Sequence, residues 1–222
     1  MKEAKAIRAL AALLGYPDAE LVAALPEIAG ALAASQAMGQ EQRARLVSLV
    51  DTLRASDGLD LEMRYVELFD RGRATSLNLF EHVHGESRDR GMAMVELRQL
   101  YAAAGYELSS GELPDYLPVM LEYLSCRDLD EARAMLGECA HILRSIGDAL
   151  LRRGSEYAAV FDALLAIARA PGLDWSRCDM PPVREAPLDE DWAEVPAFAP
   201  AGERGGAGVP LRQPAAEGKG RS

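Results

Sequence analysis

Several features are scarce in this 222-residue chain, and each scarcity excludes something. Cysteine occurs three times, at Cys126, Cys139 and Cys178, with no C-x-x-C pair. An odd, unclustered set is not a disulfide framework and fits reduced thiols in the cytoplasm. No apolar stretch reaches the roughly 18 residues that a spanning helix needs. The N-terminal MKEAKAIRALAALLGYPD mimics a signal peptide only faintly, because Glu3, Lys5 and Arg8 interrupt its apolar run and Tyr-Pro-Asp is a poor cleavage site. Strand-type alternation is missing and β-branched residues are few, so no sheet is expected. Positive charge is in deficit: 24 Lys and Arg face 35 Asp and Glu, a formal net charge of −11. Nucleic acid is therefore not an expected partner, since phosphate recognition needs a basic footprint. An acidic surface favours basic peptides or proteins.

What the chain does have is helical periodicity. Residues 2–14 read as a helix ended by Gly15 and Pro17. Asp18 opens the next, which Pro26 kinks or divides. Residues 40–55 and 59–70 follow. Leu129, Ala132, Leu136, Cys139, Leu143, Ile146 and Leu150 form one apolar stripe after Asp128, a natural N-cap, with Gly154 closing the helix. Ser155 caps a last helix that runs to Ala168, stopped by Pro171-Gly172. Ser87 caps a helix reaching Ala104. In ELPDYLPVMLEYL (112–124), Pro118 deep inside a helix would cost about 3 kcal/mol. Glu112–Tyr116 therefore reads as a turn, with Pro118 in the first turn of the next helix. The expectation is a single-domain, all-α, multi-helix bundle over residues 1–171. A mostly disordered Gly/Pro/Ala-rich acidic tail follows over 172–222, in which Trp192, Val195 and Phe198 form a small apolar exception.

One block departs from plain amphipathic helix: YVELFDRGRATSLNLFEHVHGESRDRG, residues 65–91. Here Arg71, Arg73, Arg88 and Arg90 alternate with Asp70, Glu81, Glu86 and Asp89. His82 and His84 lie between them, beside Leu77, Leu79, Phe80 and Val83. Residues 71–86 read as irregular, with one turn near Leu79–His82. Helix solvation does not demand this density, so function is expected here. The block has two compatible readings, an ion-pair network pinning an irregular connection and a recognition surface for basic partner residues. A metal site built on His82, His84, Glu81 and Glu86 is a lesser reading. On a helix, residues two apart point about 200° away from each other, and the remaining histidine, His141, is remote. No nucleophile elbow or phosphate loop is present in the sequence.

The same block, continuing into MAMVELRQLYAAAGYELSSGELPDYLPVMLEYL, closely resembles the NarJ family, the delta-subunit chaperones for assembly of molybdenum-cofactor respiratory nitrate reductase. The resemblance is dense over 61–124 and looser through YPDAEL and YAAVFDALLAIA. It implies a bundle of the TorD-like chaperone type, with no enzymatic activity and no cofactor of its own. It further implies a cytoplasmic protein that binds the apo catalytic, molybdopterin-carrying subunit and that subunit's N-terminal leader-like segment, holding it for cofactor insertion and delaying membrane docking. Molybdenum cofactor biosynthesis proteins stay open as further partners, and monomer and dimer stay open as assembly states. Partner-binding residues are expected among Arg71, Arg73, Leu79, Phe80, Glu81, His82, His84, Glu86, Arg88, Asp89, Arg90, Glu112, Pro114, Asp115 and Tyr116. Glu81, Glu86, Asp89 and Asp115 would form an acidic rim. One departure is Tyr116, where the family commonly has histidine; a tyrosine can hydrogen-bond there but does not titrate near neutrality. The alternatives are a permanent helical subunit or adaptor of a redox complex and a metal-dependent enzyme using His82 and His84.

Overall fold

The apolar spacing becomes helix almost throughout. A computed structural model describes residues 2–84, 88–108 and 111–176, leaving the side chains of residues 84 and 88 undescribed. Among the described residues there are ten α-helical segments: α1 Lys2–Leu13, α2 Ala19–Ala33, α3 Gln40–Ala55, α4 Gly58–Tyr65, α5 Glu81–His84, α6 Arg88–Ala103, α7 Leu117–Ser125, α8 Leu129–Glu138, α9 Ala140–Arg152 and α10 Ala158–Ile167. The only extended pairing among them is one isolated bridge, Asn78 to Tyr116. The bundle is thus all-α, as expected.

Two helices make the centre. In α10 every residue but Ala166 is buried, and in α7 every residue but Glu122. Helices apolar on all sides must sit inside a bundle, and each fully buried Leu or Phe contributes about 1.5–3 kcal/mol. The amphipathic helices pack around them: α1 lies on α2 and α7, α3 on α2 and α10, and α9 on α10. The caps follow the sequence. The Asp18 carboxylate accepts the Leu21 N–H at 2.8 Å, and that of Asp128 accepts those of Asp130 and Glu131 at 3.0 and 2.9 Å. Gly105 and Gly154 end their helices at positive φ, 83° and 65°.

Two expectations change, and the choice at Pro26 narrows. The stripe from Leu129 to Leu150 is two helices, because the chain bends at Cys139, whose ψ is 0°. The side-chain phase continues while the backbone turns. Residues 59–70 begin as α4 but end as a π-helical turn, Val66–Asp70, closed by the Arg71 N–H on the Val66 carbonyl at 3.1 Å. Pro26 lies inside α2 without dividing it. Past Pro171, Leu173 and Trp175 pack on the body. Ser87 and the tail tryptophan segment (Trp192, Val195 and Phe198) lie outside the described residues.

Candidate functional site

The charged block folds around two anchors. The first is the turn after the π-helix. Gly72 and a 3₁₀ turn, Arg73–Thr75, reverse the chain. The Thr75 hydroxyl donates to the carbonyls of Leu68 and Gly72. Arg153, at the end of α9, reaches across to donate to the carbonyls of Glu67 and Leu68, each at 3.4 Å. These are carbonyls that a helix end leaves without intrahelical donors.

The second anchor is Asp115, which is 0% exposed. Around it the block pairs with the ELPDY turn: the Leu79 N–H donates to the Asp115 carbonyl at 3.0 Å and the Leu117 N–H to the Leu77 carbonyl at 2.9 Å. That register aims Leu77 and Leu79 into the core. The Asp115 carboxylate accepts the Phe80 N–H at 3.1 Å and lies 3.9 Å from the Arg90 guanidinium. Its other oxygen has no hydrogen-bond partner among the described residues. Burial raises its carboxyl above the ordinary aspartate range, and the Phe80 N–H and Arg90 oppose that rise without cancelling it.

Glu81 completes the frame. It accepts the Ser76 hydroxyl at 2.6 Å, Arg90 at 3.2 Å and the Asn78 amide at 3.4 Å. Burial pushes its carboxyl up, but the Ser76 bond, Arg90 and Asn78 together hold it below the usual carboxylate range. His82 uses a ring nitrogen on the Ser76 carbonyl at 2.9 Å. Tyr101 of α6 donates to the Pro114 carbonyl at 2.9 Å and so fixes the turn from the other side. Tyr116 shares a 3.1 Å hydrogen bond with Tyr65, whose hydroxyl donates to the Leu14 carbonyl at 2.8 Å. Burial raises both phenols, so both stay protonated.

The structure therefore brings Leu79, Phe80, Glu81, His82, Arg90, Pro114, Asp115 and Tyr116 into one network. Of the expected rim, Asp115 is buried, Glu81 is partly buried and engaged by Ser76, Asn78 and Arg90, and Asp89 is exposed; Glu112 is exposed outside the network. Glu86 and the side chains of His84 and Arg88 lie outside the description. Arg71 and Arg73 stand exposed at a cleft of about 480 Å³ lined also by Asp70, Ser76, Asn78, Glu81 and Arg90. Neither has an ion-pair partner among the described residues. Sequence reasoning missed Ser76, Asn78, Gly72, Tyr65 and Arg153 as parts of the frame. Ser76 and Asn78 are turn formers and carried a weak signal, whereas Arg153 reads from sequence only as a cation suited to a helix end. The arrangement holds a shaped surface in place, and its carboxylates are engaged in doing so.

The nitrate reductase delta subunit family matches residues 35–163. The chain is 44% identical over 199 residues to the nitrate reductase molybdenum cofactor assembly chaperone NarJ of Escherichia coli, covering 86% of this chain and 84% of that one. It is 33% identical over 159 residues to the NarJ of Bacillus subtilis, covering 71% and 85%. Its fold resembles the crystal structure of a redox enzyme maturation protein from Archaeoglobus fulgidus, with a TM-score of 0.52 at 19% identity over 72% of this chain and 90% of the other. The fold is an all-α bundle of the same architecture as that structure. The chain belongs to the nitrate reductase delta subunit family.

Proposed function

We propose that this protein is a non-catalytic, cytoplasmic chaperone for assembly of a respiratory nitrate reductase. It binds the apo catalytic, molybdopterin-carrying subunit, including an N-terminal leader-like segment. It holds that subunit ready for molybdenum cofactor insertion and delays membrane docking until insertion is complete. Kinship over most of the chain to proteins named for this task is the observation that carries the reading. The geometry supports it: Glu81 and Asp115 are engaged in positioning neighbouring groups, an arrangement suited to presenting a recognition surface.

The test is a pull-down from cells respiring nitrate, with and without cofactor synthesis. The expected result is capture of the cofactor-free catalytic subunit and its release after cofactor loading. Retention of the protein in the purified mature reductase would instead make it a permanent subunit, and failure to capture the apo subunit would end the reading.

A further inference from the structure

Of the carboxylates expected to meet a basic client, Asp115 is buried and Glu81 is engaged by Ser76, Asn78 and Arg90. A groove on the other side of the π-helical turn has the opposite character. It measures about 420 Å³ and is lined by Tyr16, Leu59, Met63 and Val66 together with three acidic and two basic neighbours. Leu59 is 64% exposed, Met63 61% and Tyr16 47%. Leu59 and Met63 are four apart on α4 and so make one ridge. Large apolar side chains gathered in solvent mark an interaction surface more often than chance exposure does.

Its charge is also distinctive. Residues 57–71 carry five carboxylates and two guanidinium groups. Of these, Asp60, Glu62 and Glu67 line the groove with Arg64 and Arg71, an excess of one carboxylate, and Asp60 and Glu67 are exposed. The floor is fixed: the Tyr16 ring meets Tyr65 edge-on at 5.6 Å, and Tyr65 is held by Leu14 and Tyr116. Two residues of similar exposure on α6, Met92 and Val95, are flanked by more basic than acidic residues. A basic ligand is therefore drawn to α4.

We propose that this groove seats the apolar face of an amphipathic, basic client segment. Apolar anchors lie against Tyr16, Leu59 and Met63, while Lys or Arg side chains meet Asp60 and Glu67, a helix-in-groove mode. The assignment rests on the chaperone reading above.

The test uses the full chain and a fluorescein-labelled synthetic peptide covering the N-terminal segment of the same organism's nitrate reductase catalytic subunit, followed by anisotropy. The parent protein binds. Leu59→Asp and Met63→Glu each weaken binding by about tenfold or more, and both unfold at the parent's temperature because these side chains are exposed. Met92→Glu binds like the parent. Glu67→Lys weakens binding and flattens its salt dependence. If the parent binds while Leu59→Asp and Met63→Glu match it, the groove is excluded and the chaperone reading stands. Loss of binding in Met92→Glu alone moves the site to α6 and also overturns the assignment. If the parent ignores the peptide, both readings of leader recognition fall together.

Discussion

Arg153 occupies the space beside Gly72 that any side chain at position 72 would enter. A Cβ built there would stand 2.8 Å from the Arg153 guanidinium, 2.6 Å from the Thr75 hydroxyl and 3.0 Å from the Leu68 carbonyl. Gly72 has an ordinary negative φ of −101°, so what keeps it a glycine is close approach and not backbone handedness. The turn carrying Arg71 and Arg73 is thereby tied to the end of α9, some eighty residues further along the chain.

Gly72→Ala should destabilise the protein by about 1–3 kcal/mol, as overpacking does. The Leu68 carbonyl is backbone and Thr75 is short, so only the Arg153 guanidinium can retreat. Arg153→Ala should lose about 1–2 kcal/mol of hydrogen bonding. The double variant should cost less than the two added together, because removing the guanidinium makes room for the methyl. Urea denaturation of all four proteins measures this cycle, and strict additivity would separate Gly72 from Arg153.

Asp115 gives a pH signature. Its folded carboxyl titrates above the ordinary value of 3.8. Folding thus favours the protonated form, and that contribution is fully present below 3.8 and lost as pH rises through the folded value. Asp115→Asn keeps an oxygen for the Phe80 N–H and removes the buried charge. Its stability relative to the parent should therefore improve as pH rises from about 3 to 7. Asp115→Ala leaves the Phe80 N–H unsatisfied and should cost about 1–3 kcal/mol at neutral pH. A parent-minus-Asn difference that is flat in pH would mean the carboxyl titrates normally. Glu81 contributes in the opposite sense in the parent, since its lowered value adds stability that disappears in acid.

Helix positions and stops were legible because their determinants are local: Asp18 and Asp128 precede apolar periodicity, and Gly105 and Gly154 follow it. The break at Cys139 was not, since a stripe reports side-chain phase and says nothing of backbone continuity. Gly137, a poor helix former two residues earlier, was the available hint. The location of the site was legible as charge density, but the role of each charge was not. Asp115 looks alike in sequence whether it rims a cleft or receives an N–H from Phe80, thirty-five residues away. The α4 groove left no trace either, because Leu59 and Met63 are the same residue types that fill the core.

Asp162 holds the first residues beyond Pro171. It is 1% exposed, and accepts the Leu173 N–H at 2.9 Å, the Trp175 indole at 3.1 Å and the Arg45 guanidinium at 3.2 Å. Arg45 also lies over the Trp175 ring at 4.3 Å. Asp162→Ala should cost about 1–3 kcal/mol, because it leaves the Leu173 N–H and the Trp175 indole without their acceptor, while Arg45 keeps Glu41. Trp175 emission, read in a Trp192→Phe background, should shift to the red as the indole leaves its contacts. Unchanged emission would mean that Asp162 does not hold the indole in place.

Tyr65 connects Tyr16 of the groove to Tyr116 of the turn, and its two hydrogen bonds differ in what they protect. The bond to the Leu14 carbonyl is 2.8 Å long and buried, whereas the Tyr116 hydroxyl is only part-buried. Tyr65→Phe removes both bonds and leaves a buried carbonyl without its donor, for a loss of about 1–3 kcal/mol. Tyr116→Phe removes one bond and leaves Tyr65 still donating to Leu14, so about 0.5–1.5 kcal/mol is expected. Neither change alters ring packing, so the Tyr16–Tyr65 and Tyr65–Phe69 contacts, at 5.6 and 5.0 Å, should persist. Thermal or urea unfolding ranks the two variants. A larger loss for Tyr116→Phe than for Tyr65→Phe would show that the turn, and not the Leu14 carbonyl, depends most on this pair.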